Sequence, residues 1–200
     1  MFDDTIWANA DPNDLWLYDK LILSKKLGYK CGLPGVPVDT PGTYIVRPIS
    51  NVLGMGISAS MMYLHSETDF IKPGHFWCER FTGRHITVDY IDGQQVKAVE
   101  GFRTESQPLW KWNRWERVDI KIPFPSVLNS LVYKKHINCE FIDGKLIEAH
   151  QRLNNDLTNY DEGEYDIAIP VWQGEPQYLA DQGYTYHVDN DFLRTGFWKK

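Results

Sequence analysis

Cysteine is scarce in this chain. Cys31, Cys78 and Cys139 are far apart in sequence and odd in number, which excludes a disulfide framework and any Cys-x-x-Cys metal pair. Buried thiols in a reducing compartment are the expectation. No apolar run approaches the roughly 20 residues of a membrane-crossing helix, and the start Met1-Phe2-Asp3-Asp4 is acidic, unlike a secretory signal. Positive charge is also short: 21 Lys+Arg against 27 Asp+Glu leave a net charge of −6, which argues against a general nucleic-acid binder. Repeats, linkers and a Ser–His–Asp or Cys–His pattern are missing too. One compact unit of mixed helix and antiparallel sheet is expected.

What the 200 residues do contain is apolar material: 42% are hydrophobic and 14% aromatic, with eight tryptophans. That suffices for one sizeable core or two small lobes. A helix is predicted from about residue 14 to 27, capped by Asn13 or Asp14 and stopped by Gly28. Strands are predicted over 43–49, 57–63 and 75–88, the last broken at Thr82-Gly83. Asp92-Gly93 then turns that strand against 95–99. Between the first two strands lies a glycine-containing loop, 50–56. Residues 125–133 read as a helix, and the acidic, aromatic tail after 156 shows no periodicity.

The stretch Glu140-Phe-Ile-Asp-Gly-Lys-Leu-Ile-Glu148 carries the most chemistry. Asp143-Gly144 between two apolar runs is a hairpin turn signal. A two-residue turn there sets residue 140 beside 147 and 148 beside 139, with both carboxylates near the open end. Adjacent carboxylates repel unless a cation lies between them. Hard oxygen donors with an amide oxygen nearby suit Mg²⁺. An amphipathic hairpin with solvated acids is the plainer alternative.

In order, the segments resemble the ATP-grasp superfamily from about Leu15 to Asp156. Asp19-Lys20 with Gly35-Val36-Pro37-Val38 is similar to its entry motif. Val46-Arg47-Pro48 with Gly54-Met55-Gly56-Ile57 is similar to its strand and phosphate loop. Residues 78–89 look like its hinge, and Glu140 with Glu148-Ala149-His150-Gln151-Arg152 looks like its metal-binding end. The resemblance implies an α+β fold in which two small lobes with antiparallel sheets enclose a nucleotide cleft. Residues 1–200 would form one ATP-grasp-like unit: an N-terminal lobe at about 15–80, a C-terminal lobe at about 81–156, and the 157–200 tail packed on the core. The additional N-terminal domain usual in the family has no counterpart in the fourteen or so residues before the first helix.

The resemblance also implies an ATP- and Mg²⁺-dependent ligase. A carboxylate would be activated as an acyl phosphate for attack by an amine, thiol or similar nucleophile. Lys20 and Arg47 would contact phosphates, Arg47 with a planar fork where the family has lysine. Gly54, Met55 and Gly56 would approach the phosphates through backbone N–H groups. Glu79, Arg80 and Phe81 would hold adenine, and His85 would stand where the family places a ribose-binding glutamate. Glu140 and Glu148 would ligate metal, joined by His150 or Asn154 in the amide position. Arg152 would act with Lys20 and Arg47 as catalytic cations. Asn138 replaces a family arginine, so Lys111, Arg114 or Arg117 remain open as substitutes. Partners would be ATP, a small-molecule or peptide carboxylate and a nucleophile, with no membrane, in the cytoplasm (a host's, if the chain is viral).

The Trp110-to-Arg117 segment is unexplained by the family. As a period-2 strand it would put Trp110, Trp112, Arg114 and Glu116 on one face. A packed tryptophan face with a basic edge is the plain reading; stacking on nucleotides or nucleic acid is the alternative. A nucleotide-binding module without ligase activity is a further alternative.

Overall fold

Two Asp-Gly pairs turn this chain sharply. Asp92 and Gly93 have φ of 49° and 73°, and Asp143 and Gly144 have φ of 50° and 75°. This left-handed pair matches the twist of the strands it joins, and each pair closes a hairpin. The computed structural model describes residues 8–50, 56–154, 158–159, 163–191 and 193–200.

A small antiparallel sheet contains β1 (Cys31–Gly32), β2 (Gly42–Pro48), β3 (Ser60–Leu64) and β4 (His75–Glu79), in the order β1-β4-β2-β3. Next come β5 (His85–Ile91), β6 (Gln94–Phe102), β7 (Arg114–Arg117), β8 (His136–Ile142) and β9 (Lys145–His150). After a two-stranded ribbon of β10 (Thr158–Asn159) and β11 (Gly163–Glu164) follow β12 (Ile167–Trp172), β13 (Thr185–Asp191) and β14 (Arg194–Lys199). The large sheet runs β13-β14-β12-β7-β6-β5-β8-β9, antiparallel throughout. The aperiodic tail thus supplies three of its eight strands. Cross-strand pairing against β7 overrides a weak local pattern there.

The predicted helix over 14–27 is two pieces. A 3-10 segment, Pro12–Tyr18, ends at Asp19, and α1 (Lys20–Lys26) starts there. Asp11 caps the first piece by accepting from Asn13 N at 2.8 Å, and Asp19 caps α1 by accepting from Ile22 N at 2.8 Å. Asp14, read as a cap, is instead buried and accepts from Tyr133 Oη at 2.7 Å and Lys134 Nζ at 2.9 Å. Gly28, with φ of 73°, follows α1 as predicted. The helix expected over 125–133 is a 3-10 segment, Ser126–Leu131. The strand expected over 57–63 is β3, which starts at Ser60 rather than Ile57.

One face of the large sheet is apolar. Ile86, Val88, Tyr90, Ala98, Ile137, Cys139, Phe141, Leu146 and Ala149 are buried beneath Leu17, Leu23, Leu128 and Leu131. Each large aliphatic or aromatic side chain among them contributes about 1.5–3 kcal/mol through burial, the alanines less. Helix α1 faces both sheets: Leu23 enters this core, whereas Leu21 packs with Phe76 and Cys78 of the small sheet. That double anchorage puts Lys20, at the first position of α1, where the sheets meet.

Candidate functional site

The other face of the large sheet carries charge. Strand alternation and register place His85, Thr87 and Asp89 of β5, Lys97 of β6, Asn138 and Glu140 of β8, and Glu148 and His150 of β9 on it. Thr87 opposes Glu140, which opposes Glu148; in the next row Lys97, Asp89, Asn138 and His150 follow one another across four strands.

The acids face each other because β9 holds a bulge. Phe141 pairs with Leu146 but Glu140 pairs with Glu148, so Ile147 has no opposite number. This corrects the expected register of 140 beside 147, in which the two acids would fall on opposite faces. Arg47 Nη2 donates to the carbonyl oxygen of Ile147 at 3.2 Å. The extra residue of one sheet is thereby held by a cation from the other.

Glu140, Glu148 and His150 each offer a ligand atom, and the three atoms lie within 4.8 Å of one another. His150 Nε2 is 3.3 Å from Glu148 Oε1 and 3.8 Å from Glu140 Oε1. Lys20 Nζ, in a side chain only 4% exposed, is 2.8 Å from Glu148 Oε2, and His85 Nε2 is 3.2 Å from Glu140 Oε2. Desolvation pushes the Glu140 carboxyl up, but hydrogen bonds and charge from His150 and His85 more than reverse this. They hold it well below the usual carboxylate range.

A second buried network flanks these groups. Lys97 Nζ is 3.0 Å from Asp89 Oδ2 and donates to Asn154 O at 2.9 Å. Asn138 Nδ2 donates to Thr87 Oγ1 and Asp89 Oδ1, each at 2.8 Å. Asn154 N donates to Asp89 Oδ1 at 2.8 Å, and its side-chain amide nitrogen lies 3.4 Å from Thr87 Oγ1. The network fixes the segment that follows His150. Lys97 and Asp89 escaped sequence reasoning because they too are brought opposite by a bulge: Tyr90 pairs with Gln95 but Asp89 pairs with Lys97.

The remaining expected site residues are dispersed. Gly54 and Met55 lie outside the described residues; Gly56, with φ of 66°, opens a turn closed by Ala59 N to Gly56 O at 3.0 Å. Glu79 accepts from Lys30 N at 2.9 Å, Arg80 is exposed, and Phe81 packs edge-on against Tyr29 at 4.8 Å, half-buried rather than in the core. Arg152 Nη1 donates to the adjacent Leu153 O at 3.2 Å. Lys111, Arg114 and Arg117 pair with Glu175, Glu116 and Asp166. The tryptophan segment is a strand only from Arg114, so the expected alternation fails. Trp112 and Trp115 pack together at 4.6 Å, and Trp112 meets the His85 ring at 4.5 Å. Among the described residues, no helix is long and apolar enough to cross a membrane.

Comparison with solved structures places this architecture. An ATP-grasp superfamily protein from Archaeoglobus fulgidus superposes with a TM-score of 0.55 at 12% identity, covering 92% of this chain and 64% of that one. N5-carboxyaminoimidazole synthase from Aspergillus clavatus, solved with ADP and 5-aminoimidazole ribonucleotide, gives 0.54 at 9% identity, covering 92% and 67%. The chain spans about two thirds of the length of each. No family model matches it, and no curated protein matches it in sequence. This α+β chain has the ATP-grasp fold.

Proposed function

We propose that the protein is an ATP- and divalent-metal-dependent ligase that activates a carboxylate as an acyl phosphate for attack by an amine or similar nucleophile. The observation that carries this reading is the convergence of Glu140, Glu148 and His150 with Lys20 at the junction of the two sheets. The ADP held by the similar synthase from Aspergillus clavatus supports a nucleotide site here. On this reading ATP lies between a lobe at about 15–80 and one at about 81–156, and the strands of the tail extend the second.

The donor set fits a divalent cation: two carboxylates and an imidazole converge, and the other oxygen of each carboxylate is braced, by Lys20 on Glu148 and by His85 on Glu140. A cation held there would neutralise charge on the transferring phosphoryl group. Lys20 is the cation placed to exchange its carboxylate partner for a phosphate oxygen. Arg47 keeps the acid pair in register and Arg152 stands beside the metal-binding strand, positions from which both could orient phosphate or substrate carboxylate. Lys97, Asp89 and Asn138 hold the backbone after His150 rigid, which limits misplacement of the reacting groups.

The test is turnover. Protein, ATP, a divalent metal and a panel of carboxylates with amines are incubated, and ADP plus phosphate that depends on the carboxylate is the expected product. Glu148→Gln, folded by circular dichroism, should lose at least ~100-fold in rate. Wild-type rates in that variant would remove the site assignment, and AMP release would replace acyl phosphate with adenylation. A second reading, a nucleotide-binding module without ligation, is favoured by Asn138. That side chain is buried among Thr87 and Asp89 and offers no charge where the family has arginine. ATP binding without turnover on any acceptor selects it.

A further inference from the structure

We infer that the centre of Glu140, Glu148 and His150 takes a divalent transition-metal ion that accepts imidazole, represented by Mn²⁺, in preference to Mg²⁺. The inference deepens the proposed ligase reading, on which it rests for the expectation that a metal works at this site.

Three features of the centre carry it. The first is spacing. Ligand bonds of about 2.1 Å put neighbouring donors roughly 3–3.5 Å apart around a small divalent ion. His150 Nε2 stands 3.3 Å and 3.8 Å from one oxygen of each acid, close to that spacing before any ion draws them in.

The second is which atoms point inward. Each carboxylate has its other oxygen, Oε2, engaged from outside: Lys20 on Glu148 and His85 on Glu140. This leaves Oε1 of both acids beside the imidazole, two monodentate carboxylates and one nitrogen. Outer partners that orient ligand carboxylates in this way are a regular feature of metal centres.

The third is donor chemistry. Mg²⁺ takes oxygen ligands and dehydrates reluctantly, whereas imidazole suits first-row transition ions; Mn²⁺, the weakest binder of that series and the one nearest Mg²⁺ in its liking for carboxylate, is the most demanding probe of the preference. His150 is buried on strand β9 between the acids, so an ion reaching both acids meets its Nε2. Asn154, the amide expected as an alternative ligand, has its backbone N–H and C=O held by Asp89 and Lys97 and its side-chain nitrogen near Thr87.

The experiment uses the full chain, stripped with chelator and titrated with Mn²⁺ alone, then with Mg²⁺ as competitor. Free Mn²⁺ is read by electron paramagnetic resonance, and pulsed measurements read nitrogen coupling from a coordinated imidazole. The expected result is Mn²⁺ bound at least ~10-fold more tightly than Mg²⁺, with nitrogen modulation that shifts on ¹⁵N-histidine labelling. His150→Asn, which restores an amide oxygen, should lose the modulation and most of the preference. His85→Ala should weaken Mn²⁺ by about 10–100-fold while keeping the modulation. Bound Mn²⁺ without nitrogen coupling, equal affinity for Mg²⁺, or no binding at all overturns the inference. Should a variant fail to fold, the wild-type spectrum alone decides. ADP binding, measured separately by calorimetry, keeps the two readings apart. A nitrogen-coupled ion without nucleotide binding sinks the ligase and not the centre; nucleotide binding with a nitrogen-free ion does the reverse.

Discussion

Glu140 and Glu148 stand directly opposite each other across β8 and β9, and Ile147, the residue between 146 and 148 that nothing opposes, is what aligns them. The same device occurs in the β5–β6 hairpin, where Val96 is the unopposed residue and Asp89 meets Lys97. In both hairpins the extra residue lies three positions after the glycine of the Asp-Gly turn. A bulge flips every side chain beyond it to the other face. Twice here that flip delivers a charged group to the polar face.

Arg47→Ala tests the hold on this register. Removing the guanidinium leaves the Ile147 carbonyl without the donor at 3.2 Å, in a region where Arg47 itself is almost fully buried. A loss of about 1–3 kcal/mol is expected in urea unfolding, together with weaker metal binding. An unchanged midpoint with unchanged metal affinity would show that the bulge holds itself.

Asp14 makes stability depend on acid pH. Desolvation raises its carboxyl, but hydrogen bonds from Tyr133 and Lys134 and the Lys134 charge prevail and set it below its ordinary value of 3.8. A depressed carboxylate stabilises the fold above the unfolded value, and this contribution is lost as pH falls through the lower folded value. Asp14→Asn should therefore cost about 1–3 kcal/mol at neutral pH. The gap from wild type should start to shrink once pH drops below 3.8. A gap that stays constant down to pH 2 contradicts the ion pair.

Cys31 and Cys78, far apart in sequence, are cross-strand partners of β1 and β4. Glu79 N donates to Lys30 O at 2.9 Å one step outside the pair, so the cysteines occupy a non-hydrogen-bonded position with Cα atoms about 4.5 Å apart. That spacing falls within disulfide range. Burial pushes both thiols up, so oxidation should be slow at neutral pH and faster in alkali. Diamide treatment followed by non-reducing peptide mapping should yield Cys31–Cys78 and leave Cys139, wholly buried, reduced. Preferential labelling of Cys139 would contradict this packing.

Gly101, opposite His85, has a steric role. A Cβ there would lie 2.5 Å from Trp115 Cζ3 and 2.8 Å from Trp112 Cζ3, the indoles that wall His85. Gly101→Ala should cost about 1–3 kcal/mol through overpacking, and the tryptophan emission should shift. Identical emission and midpoint would mean the indoles move aside freely.

Turn chemistry and residue order were legible in the sequence. Asp92-Gly93, Asp143-Gly144 and Gly28 each fall where their backbone demands, and the order of segments led to the ATP-grasp fold. The bulges were not legible, because period-2 reading assumes an unbroken ladder. Asp19 was hidden inside a continuous apolar stripe, since 3-10 and α segments share much of their spacing. His85 and Lys97 gained partners only through strand neighbours more than a turn away in sequence, which no local pattern records.

Strand order gives the large sheet two unlike margins. The acid-bearing β9 forms one, and β13, with Val188 72% exposed, forms the other, seven strand spacings or about 33 Å away along the sheet. A tether, label or binding partner fixed along that far border would ride on the molecule clear of Glu140 and Glu148. The two borders of the sheet can therefore change independently.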